Sequence, residues 1–169
     1  MRTPIAVLLL VLCSVAASAS TASDRVTEIL SMFTKSKNVQ KQKRGVTKSV
    51  FIEKHGEAFT GTDVNGAYAV DGLELTLDLR GNAGTGTDRH GAFTLRDLRH
   101  DGALLTATKV YANGRTSKLE GAFMTLITRA GKTAADATTT RTFGLGVVLD
   151  EPYVLDGGVQ LERVFYERR

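Results

Sequence analysis

The chain has 169 residues, 42% of them hydrophobic and 24% charged, with one cysteine, two prolines, no tryptophan and a net charge of +4. That balance describes one ordinary globular domain and excludes a disordered tail, a collagen repeat and a disulfide scaffold. The single cysteine, Cys13, lies in the first apolar run, so the chain beyond it has no thiol nucleophile, disulfide or thiolate metal site.

Residues 1–19 read as a secretory signal peptide. Arg2 supplies the positive start, Ile5 to Ala17 is almost wholly apolar, and Ala17-Ser18-Ala19 has the small-x-small form of a cleavage site. A membrane-spanning helix needs roughly 20 apolar residues, and this run is shorter, with Ser14, Ser18 and Ser20 interrupting its end. The expectation is export, to a periplasm or the exterior, with no transmembrane segment in the mature chain.

Residues 20–58 read as a short helix followed by a basic linker. Val26, Ile29, Leu30 and Phe33 fall at i, i+3, i+4 and i+7 and form one apolar stripe, with Ser23 or Asp24 as the cap. Lys35, Lys37, Lys41, Lys43, Arg44, Lys48 and Lys54 then follow against one acid, Glu53. Two readings stay open for this arm: contact of Lys41, Lys43 and Arg44 with an anionic surface or acidic protein, or a solvated linker. No aromatic interleaves Lys35 to Lys48 to stack on a base, so nucleic acid is not expected as a partner.

Residues 59–169 change to period two, the pattern of antiparallel β structure. Leu73, Leu75, Leu77 and Leu79 alternate with Glu74, Thr76, Asp78 and Arg80, and a turn at Asp71-Gly72 pairs Val70 with Leu73 and Tyr68 with Leu75. A two-residue turn at Asp101-Gly102 sets Leu95 opposite Thr108 and Phe93 opposite Val110. Another at Asn113-Gly114 sets Leu119 opposite Thr108 and Phe123 opposite Leu104. The predicted inner face therefore holds Phe93, Leu95, Leu104, Thr106, Thr108, Val110, Leu119, Gly121 and Phe123. Thr128 to Thr138 reads as a small polar loop. Phe143, Leu145, Val147 and Leu149 alternate with Thr142, Gly144, Gly146 and Val148, and a last strand carries Val159, Leu161 and Phe165.

A meander of about seven or eight strands hides its edges best by closing, so the fold predicted is an all-β, antiparallel up-and-down barrel. Gly66-Ala67-Tyr68, opening the first clear strand, is similar to the Gly-x-Trp that begins lipocalin barrels. That resemblance covers three residues, with tyrosine in place of tryptophan, and implies an analogous architecture.

Little in the sequence points to a reaction. His90 and His100 sit at opposite ends of one strand and read as exposed loop residues, so no metal site and no cofactor are expected. Gly81 to Gly86 lacks the following helix that a phosphate loop needs, and no serine lies in a Gly-x-Ser-x-Gly elbow. The expected function is a non-catalytic binding domain for a small apolar or amphipathic ligand, lined by Tyr68, Phe93, Leu95, Thr106, Thr108 and Phe123. The alternative is a cell-envelope protein-interaction module that uses exposed loops and the basic arm.

Overall fold

A computed structural model describes residues 21–35, 47–53, 64–131, 135–154 and 160–169. Among the described residues one helix, α1 (Ala22–Lys35), precedes nine strands: β1 (Thr47–Glu53), β2 (Gly66–Val70), β3 (Leu73–Asp78), β4 (Ala83–Asp88), β5 (Gly91–Asp101), β6 (Leu104–Tyr111), β7 (Thr116–Gly131), β8 (Thr138–Val154) and β9 (Gln160–Arg168). β2 to β9 pair in sequence order, and β9 returns to β2, so eight strands close into an up-and-down antiparallel barrel. β1 lies outside the ring, antiparallel to the far half of β7, with Thr47 opposite Gly131 and Glu53 opposite Thr125. The basic residues Lys41, Lys43 and Arg44, Val159 and the signal segment lie outside the described residues.

The barrel forms because alternation supplies one apolar face per strand, and closure buries all of those faces together. Tyr68, Leu75, Leu77, Phe93, Leu95, Leu119, Phe123, Leu145, Val147 and Tyr166 meet in a single core, with Leu73, Leu79, Phe143 and Leu149 packed against it. β4 contributes glycine at its inward positions. Phe93 and Leu95 of β5 lie over Gly86 and Gly84, where a Cβ would collide with them. The lumen is thus filled by aromatic and aliphatic side chains leaning across a wall that has none of its own.

Two turns differ from the sequence expectation and change which residues face inward. Asn113-Gly114 closes a three-residue loop: Gly114 takes the left-handed conformation (φ 82°), and Tyr111, not Ala112, bonds to Arg115, N to O at 2.9 Å. At the other hairpin the turn residues are Gly102 and Ala103, so Asp101 pairs with Leu104. A bulge between Arg96 and Arg99, with Asp97 at φ 53°, then restores the phase, and Leu95 faces Lys109 while Phe93 faces Tyr111. β6 therefore turns Leu105, Ala107, Lys109 and Tyr111 inward and leaves Leu104, Thr106, Thr108 and Val110 outside. The expected inward placement of Thr106 and Thr108 is corrected by one residue. On β7, by contrast, Leu119 and Phe123 are inward as expected, and so is the Asp71-Gly72 register.

The stretch from Thr128 to Thr138, predicted as a loop, is strand at both ends. β7 runs to Gly131 and β8 begins at Thr138, with Thr128 opposite Thr140. Threonine suits a pleated surface, and β1 gives the extended β7 a second partner.

Helix α1 packs on the outer wall. Its cap is Thr21 rather than Ser23 or Asp24: the Asp24 amide donates to Thr21 Oγ1 and the Thr21 amide to Asp24 Oδ2, both at 3.2 Å. Ile29 is fully buried against Ala122 and Met124, joined by Val26, Leu30, Phe33, Leu126, Val148 and Phe165. Phe165, on the predicted last strand, points outward into this second core and meets Phe33 edge-on at 6.5 Å, while Val164 and Tyr166 face the lumen. Gly146 clears a slot into which Phe33 and Met124 settle. Arg25 clasps Glu120 through Nε (2.9 Å) and Nη2 (2.6 Å), and this bond, against the opposing effect of burial, holds the Glu120 carboxyl below its ordinary range.

Candidate functional site

The densest polar cluster among the described residues lies at the barrel end that carries the β4–β5 and β6–β7 turns. It starts from a charge inside the core: Lys109 occupies an inward position of β6 between Ala107 and Tyr111. Its ammonium donates to Asp88 Oδ2 at 2.8 Å and sits 4.7 Å from the centre of the Phe93 ring. The side chains of Lys109 and Asp88 are only 8% and 9% exposed, so each charge depends on the other. Tyr111 donates to the same Asp88 oxygen at 2.7 Å, and the His90 amide donates to Oδ1 at 2.9 Å.

These bonds set the titration of the group. Burial opposes the charge on Asp88, but the donors from Lys109, Tyr111 and the His90 amide outweigh it and hold the carboxyl below its usual value. Burial, reinforced by the bond to Asp88, pushes the Tyr111 hydroxyl up to about 12, so it stays protonated and keeps donating.

Asp88 also orders the turn above it. Arg89 and His90 span the two positions between Asp88 and Gly91, which pair across the hairpin. Arg89 Nε donates to His90 Nε2 at 3.0 Å and Nη1 to the Pro152 carbonyl at 3.3 Å. On the neighbouring hairpin the Arg115 amide donates to Asn113 Oδ1, and Nη2 donates to Glu151 Oε1 at 2.7 Å. Glu151 thereby receives Arg115, with Arg89 Nη2 at 3.6 Å and His90 Nε2 at 3.8 Å.

Beneath this rim lies a cavity of about 40 Å³, bordered by Asp88, His90, Lys109, Tyr111, Arg115 and Glu151 among others. By volume it takes a few water molecules, well below the ~300–1,000 Å³ of a small-molecule pocket. A wider open groove of about 570 Å³ runs over the adjoining outer wall, lined by Thr76, Thr85, Thr87, Thr94 and Val110, with Glu74 as its one charged residue.

The residues expected to line a ligand cavity lie elsewhere. Tyr68 and Phe123 pack together at 6.1 Å near the opposite end, where Phe123 stacks on Phe143 at 6.2 Å. Phe93 and Leu95 fill the space over β4, Phe93 also bordering the 570 Å³ groove, and Thr106 and Thr108 are on the outer surface. None of these six borders the 40 Å³ cavity. His100, expected as an exposed loop residue, is half-buried, stands edge-on to Phe123 at 5.7 Å and has its Nε2 buried without a hydrogen-bond partner.

Sequence reasoning missed Asp88, Lys109, Tyr111, Arg115 and Glu151. One signal was there: Leu105, Ala107 and Tyr111 alternate in phase with Lys109, a lysine in an otherwise apolar row. Among the described residues no group of three or more His, Cys, Asp or Glu side chains is placed to hold a metal ion, and no helix is long and apolar enough to cross a membrane. Comparison of the chain with protein-family models, curated proteins and solved structures finds no match in any of the three.

Proposed function

We propose that the chain is an exported, non-catalytic binding domain that meets a protein partner at the outer surface of its charged barrel end. The observation that carries this reading is a lumen filled by the described side chains. The binding of a small apolar or amphipathic ligand within the barrel, expected first from the sequence, needs a cavity several times the 40 Å³ beneath the rim. Outside, the same end offers rigid turns with cationic side chains, and the groove beside it is lined mainly by threonine, alanine and backbone. Polar rims around small uncharged surfaces suit contact between proteins.

Native mass spectrometry and site-specific photo-cross-linking in the host test the reading together. The expected result is a mass without bound small molecule, and cross-links to one polypeptide from a probe at Asn113 but not from one at Asn82, on the opposite end. A co-purifying apolar molecule, or equal cross-linking from both ends, would overturn it.

A further inference from the structure

The barrel end carries two guanidiniums, from Arg89 and Arg115, that converge with His90 on one acid, Glu151. Lys109 and Asp88 neutralise each other below, so among the described side chains Glu151 is the acid on which both arginines converge. The two sides of this contact are held very differently.

The two arginines stand on rigid supports. Arg89 and His90 lie in a two-residue turn fastened to buried Asp88 through the His90 amide, and Arg89 is further oriented by His90 Nε2 and the Pro152 carbonyl. Arg115 closes the Asn113-Gly114 loop, with its amide bonded to Asn113 and its carbonyl to Tyr111. The arginine and histidine side chains are 29–36% exposed.

The acid is held loosely. The Glu151 side chain is 58% exposed. The Glu151 backbone is held on either side, by Lys118 N bonded to Asp150 Oδ2 at 2.8 Å and Arg89 Nη1 to the Pro152 carbonyl, so it is the exposed side chain that can swing away. An exposed ion pair contributes little to stability and exchanges readily with another anion. Arg115 takes Oε1 and Arg89 lies against Oε2, so the two guanidiniums together meet both oxygens of one carboxylate.

We propose that Arg89 and Arg115, with His90 orienting Arg89 through its Nε2, form a carboxylate-recognition site that Glu151 occupies as a placeholder, and that a carboxylate of the partner polypeptide displaces it on binding. This rests on the protein-interaction reading above, and it names the chemistry of the partner: an acidic side chain or a C-terminal carboxylate. Glu151 then acts as a built-in competitor that weakens the site toward stray anions and leaves it to a partner with further contacts on the outer wall.

The test titrates the full-length protein with three probes, followed by NMR shifts of the His90 ring. N-acetylglutamyl amide presents a side-chain carboxylate, N-acetylglycylglycine a C-terminal one, and N-acetylglutaminyl amide is the neutral control. At least one acid should bind saturably and the control should not, and the tighter acid identifies the source. Glu151→Gln should strengthen binding about tenfold, and Arg115→Gln should abolish it, with thermal melts confirming that both variants are folded. Binding that Glu151→Gln leaves equal or weaker, binding that survives Arg115→Gln, or no saturable binding by either acid would overturn the proposal. Partner cross-linking undiminished in Arg115→Gln would remove the carboxylate site and keep the interaction reading. Carboxylate binding in a protein that cross-links to no partner would do the reverse.

Discussion

His100 shows how a single side chain links the core to pH. Burial pushes its pKa below the ordinary 6.5, although a bond to the Gly102 backbone and the Asp101 charge work the other way, and its Nε2 has no partner to share a proton with. Above pH ~7 the ring is neutral in both folded and unfolded chains, and pH has no effect through it. As pH falls through about 6.5 the unfolded chain takes up the proton first, so the folded state loses stability until pH reaches the lower folded value. Urea melts at pH 7.5, 6.5 and 5.5 should show a loss on acidification that is smaller in His100→Asn than in the parent. Identical slopes would mean that the buried ring is not the cause, since His55 and His90 are common to both proteins.

At the scale of elements, α1 and the barrel have separate cores. The stripe of Val26, Ile29, Leu30 and Phe33 packs on outward residues of β6 to β9, and the helix also runs against β1, while the lumen is closed without it. Ile29→Asp places a charge at a fully buried position of the outer core and should undock the helix. Amide exchange should then lose protection in Ala22–Lys35 and on the outward edge of β7 but keep it in β3 to β6. Loss of protection throughout the barrel would show that the two cores fold as one. The helix stripe was legible in the sequence because period 3.6 is local. Its docking site was not, because Ala122, Met124 and Phe165 look like ordinary strand residues until Gly144 and Gly146 open the wall beside them.

For the whole molecule, closure decides what each side chain is worth. Phe123 is 1% exposed and touches Tyr68, His100 and Phe143, so Phe123→Ala should cost about 3–5 kcal/mol. Thr76 is exposed on the outer wall, and Thr76→Ala should change stability by about 0.5 kcal/mol or less. Denaturant melts compare the two directly, and a larger loss for Thr76→Ala would mean that the faces are exchanged. The seam that closes the ring is its shortest ladder: Tyr68 pairs with Arg168 and Ala69 with Glu167, and the Arg169 amide adds a bond to the Ala67 carbonyl.

The sequence alone determined what depends on neighbours along the chain: the all-β class, the apolar face of β3 and β8, the inward Leu119 and Phe123 of β7, and the helix stripe. Alternation is a local code, and it reads correctly wherever the turn beside it has the expected length. Tertiary structure decided the phase of β6, since a three-residue loop at Asn113-Gly114 and a bulge at Asp97 each move the register by one. That shift carried Thr106 and Thr108 outward and Lys109 inward, and it created the charged barrel end. Asp88, Lys109, Arg115 and Glu151 lie on four different strands or turns, and only the folding of the meander into a ring brings them within hydrogen-bond reach. No local period records such a meeting, because it depends on how turns and bulges add up around the whole barrel.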